Sequence, residues 1–247
     1  MPETASRPLA APAPTGAPLS APLTAVALHK SYQAGDGSEL RVLEGVELRV
    51  EPGEVVAVVG ASGAGKSTLL HLLGVLDFPS SGDVLVGGRA VAGLDEQSIA
   101  EIRNRHIGFV FQFHHLLREF TALENVLIPA LIGGVSMQEA EDRARRLLSS
   151  VGMSHRLSHR PWQLSGGEQQ RVAVVRALVN EPLVLLADEP SGNLDHQSSE
   201  RLHDLLFTLR RDRELAMVLV THNTELAERA DRILHLEDGR LHRRVDV

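Results

Sequence analysis

Residues 54–67 read Glu54-Val-Val-Ala-Val-Val59-Gly60-Ala-Ser-Gly-Ala-Gly-Lys66-Ser67, and this stretch decides the fold. A short apolar run is followed by the pattern G-x-x-x-x-G-K-S, which in a strand-loop-helix context is a phosphate-binding loop. Its glycines let successive backbone N–H groups turn toward an anion, and Lys66 adds a positive charge. Ser67 can present its hydroxyl to a magnesium ion. The helix predicted from Lys66 to about Leu76 directs its positive end at the same point. The sequence therefore predicts nucleotide binding.

Composition narrows the class of protein. The chain has 247 residues, enough for one large or two small domains, and carries a net charge of −7. With no basic stripe and only 3% aromatic residues, the sequence argues against nucleic acid as the main partner. The absence of cysteine fits a reducing compartment. Its apolar runs are far shorter than the roughly 20 residues of a membrane span, so any spans are expected on another chain.

Residues 1–22 differ from the remainder of the sequence. They hold six of the twelve prolines, and prolines break helices. We predict a disordered tail over 1–22 and a nucleotide-binding domain over 23–247, without a signal peptide.

The pattern along this domain alternates between strands and helices. A helical insertion over about 116–179, including a helix at 136–150, interrupts an α/β domain. Helices are also predicted at 95–104 and 195–211. Strands are predicted at 23–32, 40–50, 83–91 (a pair around a turn), 107–111, 183–187, 216–220 and 232–237.

A second motif follows a buried strand. The apolar run Leu183–Ala187 ends in Asp188 and Glu189, near the sheet edge where ligands collect in α/β folds. Asp188 is placed to hold magnesium, and Glu189 to take a proton from an attacking water. Acids after a strand also cap turns, but beside a phosphate loop the functional interpretation is favoured.

A third motif is Leu164-Ser165-Gly166-Gly167-Glu168. Ser165 and Glu168 form the capping box S-x-x-E at the start of a helix. Capping does not explain two glycines in the first turn, because each costs a helix up to about 1 kcal/mol relative to alanine. Close approach of the backbone to a phosphate would explain them. We therefore predict a second anion cradle, free to meet a nucleotide held by another copy of the chain.

The order of these motifs, with a later His222, resembles the ATP-binding-cassette ATPases over residues 23–240. The resemblance implies an α/β phosphate-loop NTPase fold with a RecA-like core, an antiparallel β subdomain and an α-helical signature subdomain. It also implies ATP hydrolysis coupled to transmembrane movement, with ATP and Mg²⁺ as cofactors.

Finer detail resembles the lipoprotein-releasing branch of that family, whose closest relatives are MacB-type exporters and FtsE-type cell-division ATPases. The matching segments are 112–117, 120–126, 159–161, 176–180 and 191–195. The resemblance implies a peripheral subunit on the cytoplasmic side of the bacterial inner membrane that drives lipoprotein release. A MacB-type exporter, an FtsE-like regulator and the ATPase of another transporter stay open as alternatives. Soluble family members that act on DNA or ribosomes usually have two cassettes in one chain or long coiled-coil arms. The sequence shows neither, which argues against this class.

The resemblance also implies residue roles within one copy. Tyr32 would stack on adenine, although it could instead be a core-rim residue, and a lone histidine such as His222 is often an ordinary turn residue. Catalytic roles fall on Glu189, His222, Gln112 and Lys66, and metal-binding roles on Ser67, Gln112 and Asp188. The remaining ATP contacts fall on Gly60, Ala61, Ser62, Gly63, Ala64, Gly65, Lys66, Ser67 and Thr68.

Partners are implied as well. A homodimer would place Ser165, Gly166, Gly167, Glu168 and Asp195 of one copy against the ATP of the other. Integral membrane permeases of the LolC/LolE type would dock near Phe113, His114, His115, Leu116 and Leu117. Two residues depart from the family pattern, which usually has threonine at Ser191 and aspartate at Asn223; both side chains can still bond locally to the backbone. The histidines show no metal-binding spacing.

Overall fold

The chain forms two β-sheets with helices packed around them, and the computed structural model describes residues 20–33, 35 and 37–243. Most of the predicted tail, residues 1–19, lies outside the described residues. Ser20–Pro22, which the sequence analysis assigned to that tail, contact the turn at Gly87. The Ser20 hydroxyl donates to the Gly87 carbonyl at 2.9 Å, and the Gly87 N–H donates to the Pro22 carbonyl at 3.0 Å.

The first sheet is antiparallel, with four strands in the order β2-β1-β4-β5. Leu23 pairs with Val50, so the ends of the first two strands are joined in register. From Val46 to Val50, burial in β2 follows the alternation of apolar and polar residues in the sequence, whereas the register of β1 shifts after Ala25. The strands are β1 (Leu23–Gln33), β2 (Glu39–Val50), β4 (Ser81–Val86) and β5 (Arg89–Ala90).

The second sheet has six strands in the order β10-β9-β3-β8-β7-β6. All neighbours pair in parallel except β9 and β10, which form an antiparallel hairpin. Strands β3, β7 and β8 are apolar on both faces, as expected of parallel strands covered on both sides. The strands are β3 (Val55–Val59), β6 (Ile107–Val110), β7 (Val184–Asp188), β8 (Ala216–Val220), β9 (Arg232–Glu237) and β10 (Arg240–Arg243).

Seven α-helices connect the strands of the described residues. The first ends three residues earlier than predicted, because Gly74 terminates it and Val75 follows with a left-handed φ of 54°. Polar residues accept a backbone N–H at the start of each later helix, as helix caps do. The helices are α1 (Lys66–Leu73), α2 (Glu96–His106), α3 (Ala122–Ile132), α4 (Met137–Ser150), α5 (Gly166–Leu178), α6 (His196–Arg213) and α7 (Thr224–Glu228).

The apolar core divides into three clusters that match this architecture. One lies between the two sheets and includes α1 and α2. Another lies between the second sheet and helices α5 and α6. The third fills the helical lobe around α3, α4 and α5, which corresponds to the predicted insertion. The described residues contain no helix with the length and apolarity to span a membrane.

The connectivity places four segments at one edge of the second sheet. Strands β3, β6, β7 and β8 are parallel neighbours, so the residues after each emerge together. Those residues are the phosphate loop, Gln112, Asp188 with Glu189, and His222. This is the carboxyl edge where ligands bind in α/β sheets.

Candidate functional site

The phosphate loop connects β3 to α1 and depends on glycine at two points. A methyl group at Gly60 would lie 2.4 Å from the Leu236 carbonyl oxygen on the neighbouring strand. Gly65, immediately before α1, has a φ of 96° and would place a methyl group 2.8 Å from Val42 Cγ1. Glycine tolerates both constraints because it has no Cβ. The loop therefore folds as its sequence predicts, with its backbone turned tightly onto the start of a helix.

The Lys66 ammonium lies over this loop. Its Nζ donates to the carbonyls of Gly60 at 2.9 Å and Ala61 at 2.8 Å. An ammonium has three protons, so these two bonds leave donor capacity for an anion. The positive charge and the α1 N-terminus thus act on the same space.

A cleft of about 520 Å³ opens above the loop. It brings together side chains from both sheets and from the four segments at the sheet edge. Leu40, Val42 and Val220 add apolar surface. Of the residues that the sequence analysis assigned to one copy, the cleft is lined by Tyr32, Ser62, Gly63, Gly65, Lys66, Ser67, Thr68, Gln112, Asp188, Glu189 and His222.

Asp188 and Ser67 form one polar pair in this cleft. Burial is the main cause that raises the pKa of Asp188, and the neighbouring Glu189 carboxylate adds to it. The hydrogen bond with Ser67 acts in the opposite direction. A half-buried carboxylate whose charged form is disfavoured is a group that a bound cation would stabilise. The Ser67 hydroxyl and the Asp188 carboxylate are neighbouring oxygen ligands of the kind that a hard cation such as Mg²⁺ prefers.

Glu189 is held by two donors from the end of β8. The Thr221 hydroxyl donates to its Oε2 at 3.1 Å, and His222 Nδ1 lies 2.7 Å from its Oε1. Glu189 itself has a left-handed φ of 44°, which is uncommon for a residue with a side chain. Its backbone N–H donates to the Val220 carbonyl at 2.8 Å. The carboxylate is therefore fixed in position and orientation at the mouth of the cleft.

Gln112 reaches the same cleft from the end of β6. The Asn193 amide donates to the Gln112 carbonyl at 3.0 Å, and the two side chains meet at 3.5 Å. A methyl group at Gly192 would lie 3.0 Å from the Gln112 amide nitrogen, so the Gln112 side chain packs closely against this glycine. The segment after β6 is thus tied to the loop that follows Glu189.

Tyr32 lines the cleft from near the C-terminal end of β1. Its hydroxyl donates to Asp77 at 3.0 Å, and the Lys30 ammonium lies 4.8 Å from its ring centre. Burial and the Asp77 bond raise the pKa of Tyr32, so the ring carries a neutral phenol. The side chain is 42% exposed, which leaves ring surface for another flat group.

The residues predicted to act on a second copy lie outside this cleft. Ser165 accepts from the Glu168 N–H at 3.3 Å, and Glu168 accepts from the Ser165 N–H at 2.8 Å, which forms the predicted capping box. Asp195 caps α6 by accepting from the Ser198 N–H at 3.0 Å. Ser165 and Gly166 are exposed. No residue of this set contributes to the cleft described above.

Packing within the chain bears on one of the two glycines of this motif. A methyl group at Gly167 would lie 3.3 Å from the Ser198 hydroxyl, which is a tight approach, whereas one at Gly166 would lie 3.5 Å from Leu194, an ordinary contact distance. The prediction that these glycines let a phosphate approach the backbone stays a prediction.

Both departures from the family pattern are accommodated. The Ser191 hydroxyl lies 2.8 Å from Nε2 of the buried His203, and burial lowers the pKa of that histidine. Asn223 caps α7 by accepting from the Leu226 N–H at 2.8 Å. Asn223 thus makes the local backbone bond predicted for it, whereas the Ser191 hydroxyl contacts a distant side chain instead of the local backbone.

Side chains from two helices hold the backbone of the segment that was predicted to dock a partner. Arg176 donates to the carbonyls of His115 at 2.7 Å and His114 at 2.8 Å. Asn125, buried under the following turn, accepts from the Leu117 N–H at 2.7 Å and donates to the Leu117 carbonyl at 3.0 Å. Phe113 and Leu117 are exposed. We call residues 113–117 the docking segment.

One member of that set requires a correction. Leu116 is only 7% exposed and belongs to the core cluster of the helical lobe. It was assigned to the docking surface because its neighbours are apolar, but its side chain packs inward. Leu116 therefore anchors the docking segment instead of facing a partner.

Thr221 and Asn193 are site residues that the sequence analysis did not assign. Thr221 is the polar residue after the apolar strand β8, and the same strand-end signal that identified Asp188 applies to it. Asn193 lies in the Ser191–Asp195 run but was used there only as a mark of resemblance. Its contact with Gln112 depends on the neighbouring positions of β6 and β7 in the sheet.

Comparisons with known proteins agree with this architecture. The family model described as "ABC transporter" matches residues 43–192. The lipoprotein-releasing system ATP-binding protein LolD of Geobacter metallireducens is 53% identical over 223 residues, 90% of this chain and 99% of the relative. LolD of Cytophaga hutchinsonii is 54% identical over 198 residues, 80% of this chain and 90% of the relative.

Solved structures of an ABC transporter cassette have the same fold as this chain. A dimeric bacterial ABC transporter cassette, MJ0796, superposes with a TM-score of 0.82 and 38% identity, covering 90% of this chain and 97% of that chain. A post-hydrolysis dimer of the same cassette, bound to ADP and phosphate, superposes with a TM-score of 0.81 at 38% identity and the same coverage. The expected α/β cassette fold is confirmed.

Proposed function

The chain belongs to the ABC transporter family, and from this premise we propose that it is the ATP-hydrolysing subunit of a complex that releases lipoproteins from the bacterial inner membrane. The observation that carries ATP hydrolysis is the single cleft that joins a phosphate loop to Asp188, Glu189 and His222. Similarity to LolD proteins over nearly their whole length supports the lipoprotein cargo. The subunit would be peripheral, on the cytoplasmic face of the membrane.

Within one copy, ATP would lie along the cleft. The loop N–H groups, Lys66 and the α1 N-terminus bind its phosphates. Thr68 lies in the first turn of α1, next to these groups. At the other end of the cleft, the exposed face of Tyr32 receives the adenine. This orientation uses the only tyrosine of the sequence at the point where it borders the cleft.

Magnesium would be held by Ser67 and Asp188, with Gln112 beside them. The described residues contain no cluster of three or more His, Cys, Asp or Glu side chains that could hold a metal ion alone. That fits Mg²⁺, which usually keeps water and phosphate oxygens and takes only one or two protein ligands. When bound, Mg²⁺ supplies positive charge that offsets the charge on the phosphate oxygens.

Glu189 would be the general base. It accepts a proton from a water molecule whose oxygen forms a bond to the terminal phosphorus, while the bond from that phosphorus to the bridging oxygen of ADP breaks. Thr221 and His222 both donate to its carboxylate. These bonds aim the base before ATP arrives. Since His222 Nδ1 faces Glu189, its Nε2 is the nitrogen left for the terminal phosphate, and it would donate there as the imidazolium, the form in which both ring nitrogens carry a proton.

A second copy would complete the site. Ser165, Gly166 and Gly167, with Asp195 nearby, lie outside the cleft of their own copy and are available to the ATP of another. The dimeric arrangement of the MJ0796 cassette supports this. Because ATP would contact both copies only in the closed dimer, it favours closure, and hydrolysis favours release.

Permease subunits would dock on Phe113 and Leu117, which the docking segment presents outward. This segment follows Gln112, so closure of the ATP site and movement of the membrane partner would share one stretch of backbone. The rigid attachment of the segment to α5 and α3 supports such transmission.

Two measurements test this function together. A tagged Glu189→Gln chain is purified from detergent extracts of the source cell, and its membrane partners are identified by mass spectrometry. Depletion of the chain is then followed by fractionation of the inner and outer membranes. We expect permeases of the lipoprotein-releasing type and lipoproteins retained on the inner membrane. Exporter or cell-division partners, together with normal lipoprotein distribution, would exclude the proposed cargo.

A further inference from the structure

The first turn of helix α5 contains an acidic residue, Glu168, whose charge is well shielded from water. The Glu168 side chain is 12% exposed, and both of its carboxylate oxygens have partners. One oxygen accepts from the Ser165 N–H at 2.8 Å, and the other accepts from Arg156 Nε at 2.8 Å. Burial alone raises the pKa of Glu168, but the Ser165 N–H and Arg156 lower it below its usual value, so the group is ionised.

This charge creates a conflict at the helix terminus. A carboxylate in the first turn stabilises a helix because it faces the positive end of the dipole. The same carboxylate repels any anion that approaches that end. Under the proposed function, a terminal phosphate of ATP has to approach Ser165 and Gly166, within one turn of Glu168.

Arg156 is placed to resolve the conflict. It lies in a short 3₁₀ turn, Ser154–Arg156, between α4 and α5 in the chain, and its guanidinium is held in place by a second contact with His159 Nε2 at 3.1 Å. The His159 carbonyl in turn accepts from the Ala122 N–H at 2.8 Å, which attaches this turn to the start of α3. The guanidinium is thus fixed by the lobe before any ligand binds.

We propose that Arg156 is a positioning residue that neutralises Glu168, so that the first turn of α5 keeps its capping box and still accepts a phosphate anion from a second copy. This inference rests on the proposed function. Arg171, one turn further along α5, also attracts the Glu168 carboxylate, but Arg156 is the residue whose hydrogen bond occupies the free oxygen.

The test uses the full chain with Glu189→Gln, which keeps ATP from being consumed. Dimer formation with Mg-ATP is measured by light scattering for this background, then with Arg156→Gln, Glu168→Gln, and both together. Glutamine at 168 keeps the capping box, because S-x-x-Q caps a helix as S-x-x-E does. Arg160→Gln is the matched control. It removes the same charge four residues away, where the guanidinium stacks over the Trp162 ring at 5.3 Å.

We expect Arg156→Gln to weaken ATP-dependent dimerisation at least tenfold, and Arg160→Gln to change it less than threefold. The double variant should dimerise as well as Glu168→Gln alone, because removing the carboxylate removes the need for the guanidinium. ATP binding to the monomer should be the same in all variants.

Two results would overturn the inference while leaving the proposed function standing. One is normal dimerisation of Arg156→Gln. The other is a double variant as weak as Arg156→Gln, which would show that Arg156 acts only by supporting the lobe. If the Glu189→Gln background binds Mg-ATP and stays monomeric, the two-copy site fails, and this inference fails with it.

Discussion

His222 Nδ1 lies 2.7 Å from Glu189 Oε1, and this contact joins the ends of two neighbouring strands across the mouth of the cleft. Glu189 follows β7 and His222 follows β8, so their proximity is a direct product of the parallel pairing of those strands. The contact makes an exposed histidine part of the environment of a largely shielded carboxylate.

Removing the base tests its role. Glu189→Gln keeps the shape of the side chain and an oxygen for Thr221, but it cannot accept a proton at neutral pH. We expect turnover of ATP to fall about 10²–10⁴-fold, while the dissociation constant for Mg-ATP changes little. Steady-state phosphate release and equilibrium binding of a fluorescent ATP analogue measure the two effects. Hydrolysis near the normal rate would assign the base to another residue.

Thr221 gives a subtler prediction. Thr221→Val preserves the shape of the fully buried side chain but removes the donor to Glu189. A hydrogen bond to a charged group contributes about 1.5–3 kcal/mol, so turnover should fall about tenfold or more. Thr221→Ser retains the hydroxyl and should keep most of the activity. Equal losses in the two variants would point to packing instead of orientation of the base.

The pKa of Asp188 predicts an effect on stability. Because burial raises this pKa in the folded chain, folding favours the protonated form, and the ionised form weakens the fold at pH values above the usual carboxyl range. Asp188→Asn should therefore raise the melting temperature of the nucleotide-free chain by a few degrees at neutral pH.

The gain from Asp188→Asn should shrink as the pH falls toward the ordinary carboxyl value, where the native residue is also neutral. The variant should also lose most of the additional stabilisation that Mg²⁺ gives with ATP. Calorimetry at several pH values checks both points. A variant less stable than the parent at neutral pH would contradict the argument.

Two glycines of the phosphate loop separate steric from conformational effects. Gly63 and Gly65 both have left-handed φ values, 81° and 96°, but only Gly65 would place a methyl group against Val42. Gly63→Ala should cost about 1–2 kcal/mol of unfolding free energy, the cost of a left-handed residue. Gly65→Ala should cost clearly more. Urea denaturation without nucleotide measures the difference, and equal costs would contradict the clash.

The docking segment predicts a separation of functions. Leu117→Asp places a charge on an exposed apolar surface, so we expect loss of membrane partners in co-purification while ATP hydrolysis by the isolated chain stays within about threefold. Leu116→Asp is the contrasting variant, because burial of that charge should destabilise the helical lobe. Unchanged partner binding by Leu117→Asp would place the docking surface elsewhere.

The sequence predicted most of the elements because their signals are local. Apolar runs identified β3, β7 and β8, and the capping box of Ser165 and Glu168 marked the start of α5. The five-residue helix α7 and the edge strand β10 were not predicted, since neither is long enough to show a period. The C-terminus of α1 was placed too late, because a left-handed Val75 is not visible in an apolar pattern.

For the site, the sequence predicted the residues of contiguous motifs but not the contacts between distant segments. Residues in contiguous motifs, such as Lys66 and Asp188, fall in the cleft as expected. Contacts between distant segments were not predicted: Asn193 meets Gln112 across 81 residues of sequence. Leu116 was assigned to the docking surface in error, because a run of apolar residues does not reveal which side chain packs into the core.

The bonds beneath the docking segment are made to main-chain atoms. Arg176 and Asn125 hold carbonyl and amide groups that every residue except proline carries, and Leu116 anchors the loop from the inside, so the path of this loop does not depend on the exposed side chains at positions 113 and 117. Positions 113 and 117 can therefore be exchanged during evolution at little structural risk. Under the proposed function, substitutions at these exposed positions would adapt the same fold to different membrane partners without altering its nucleotide site.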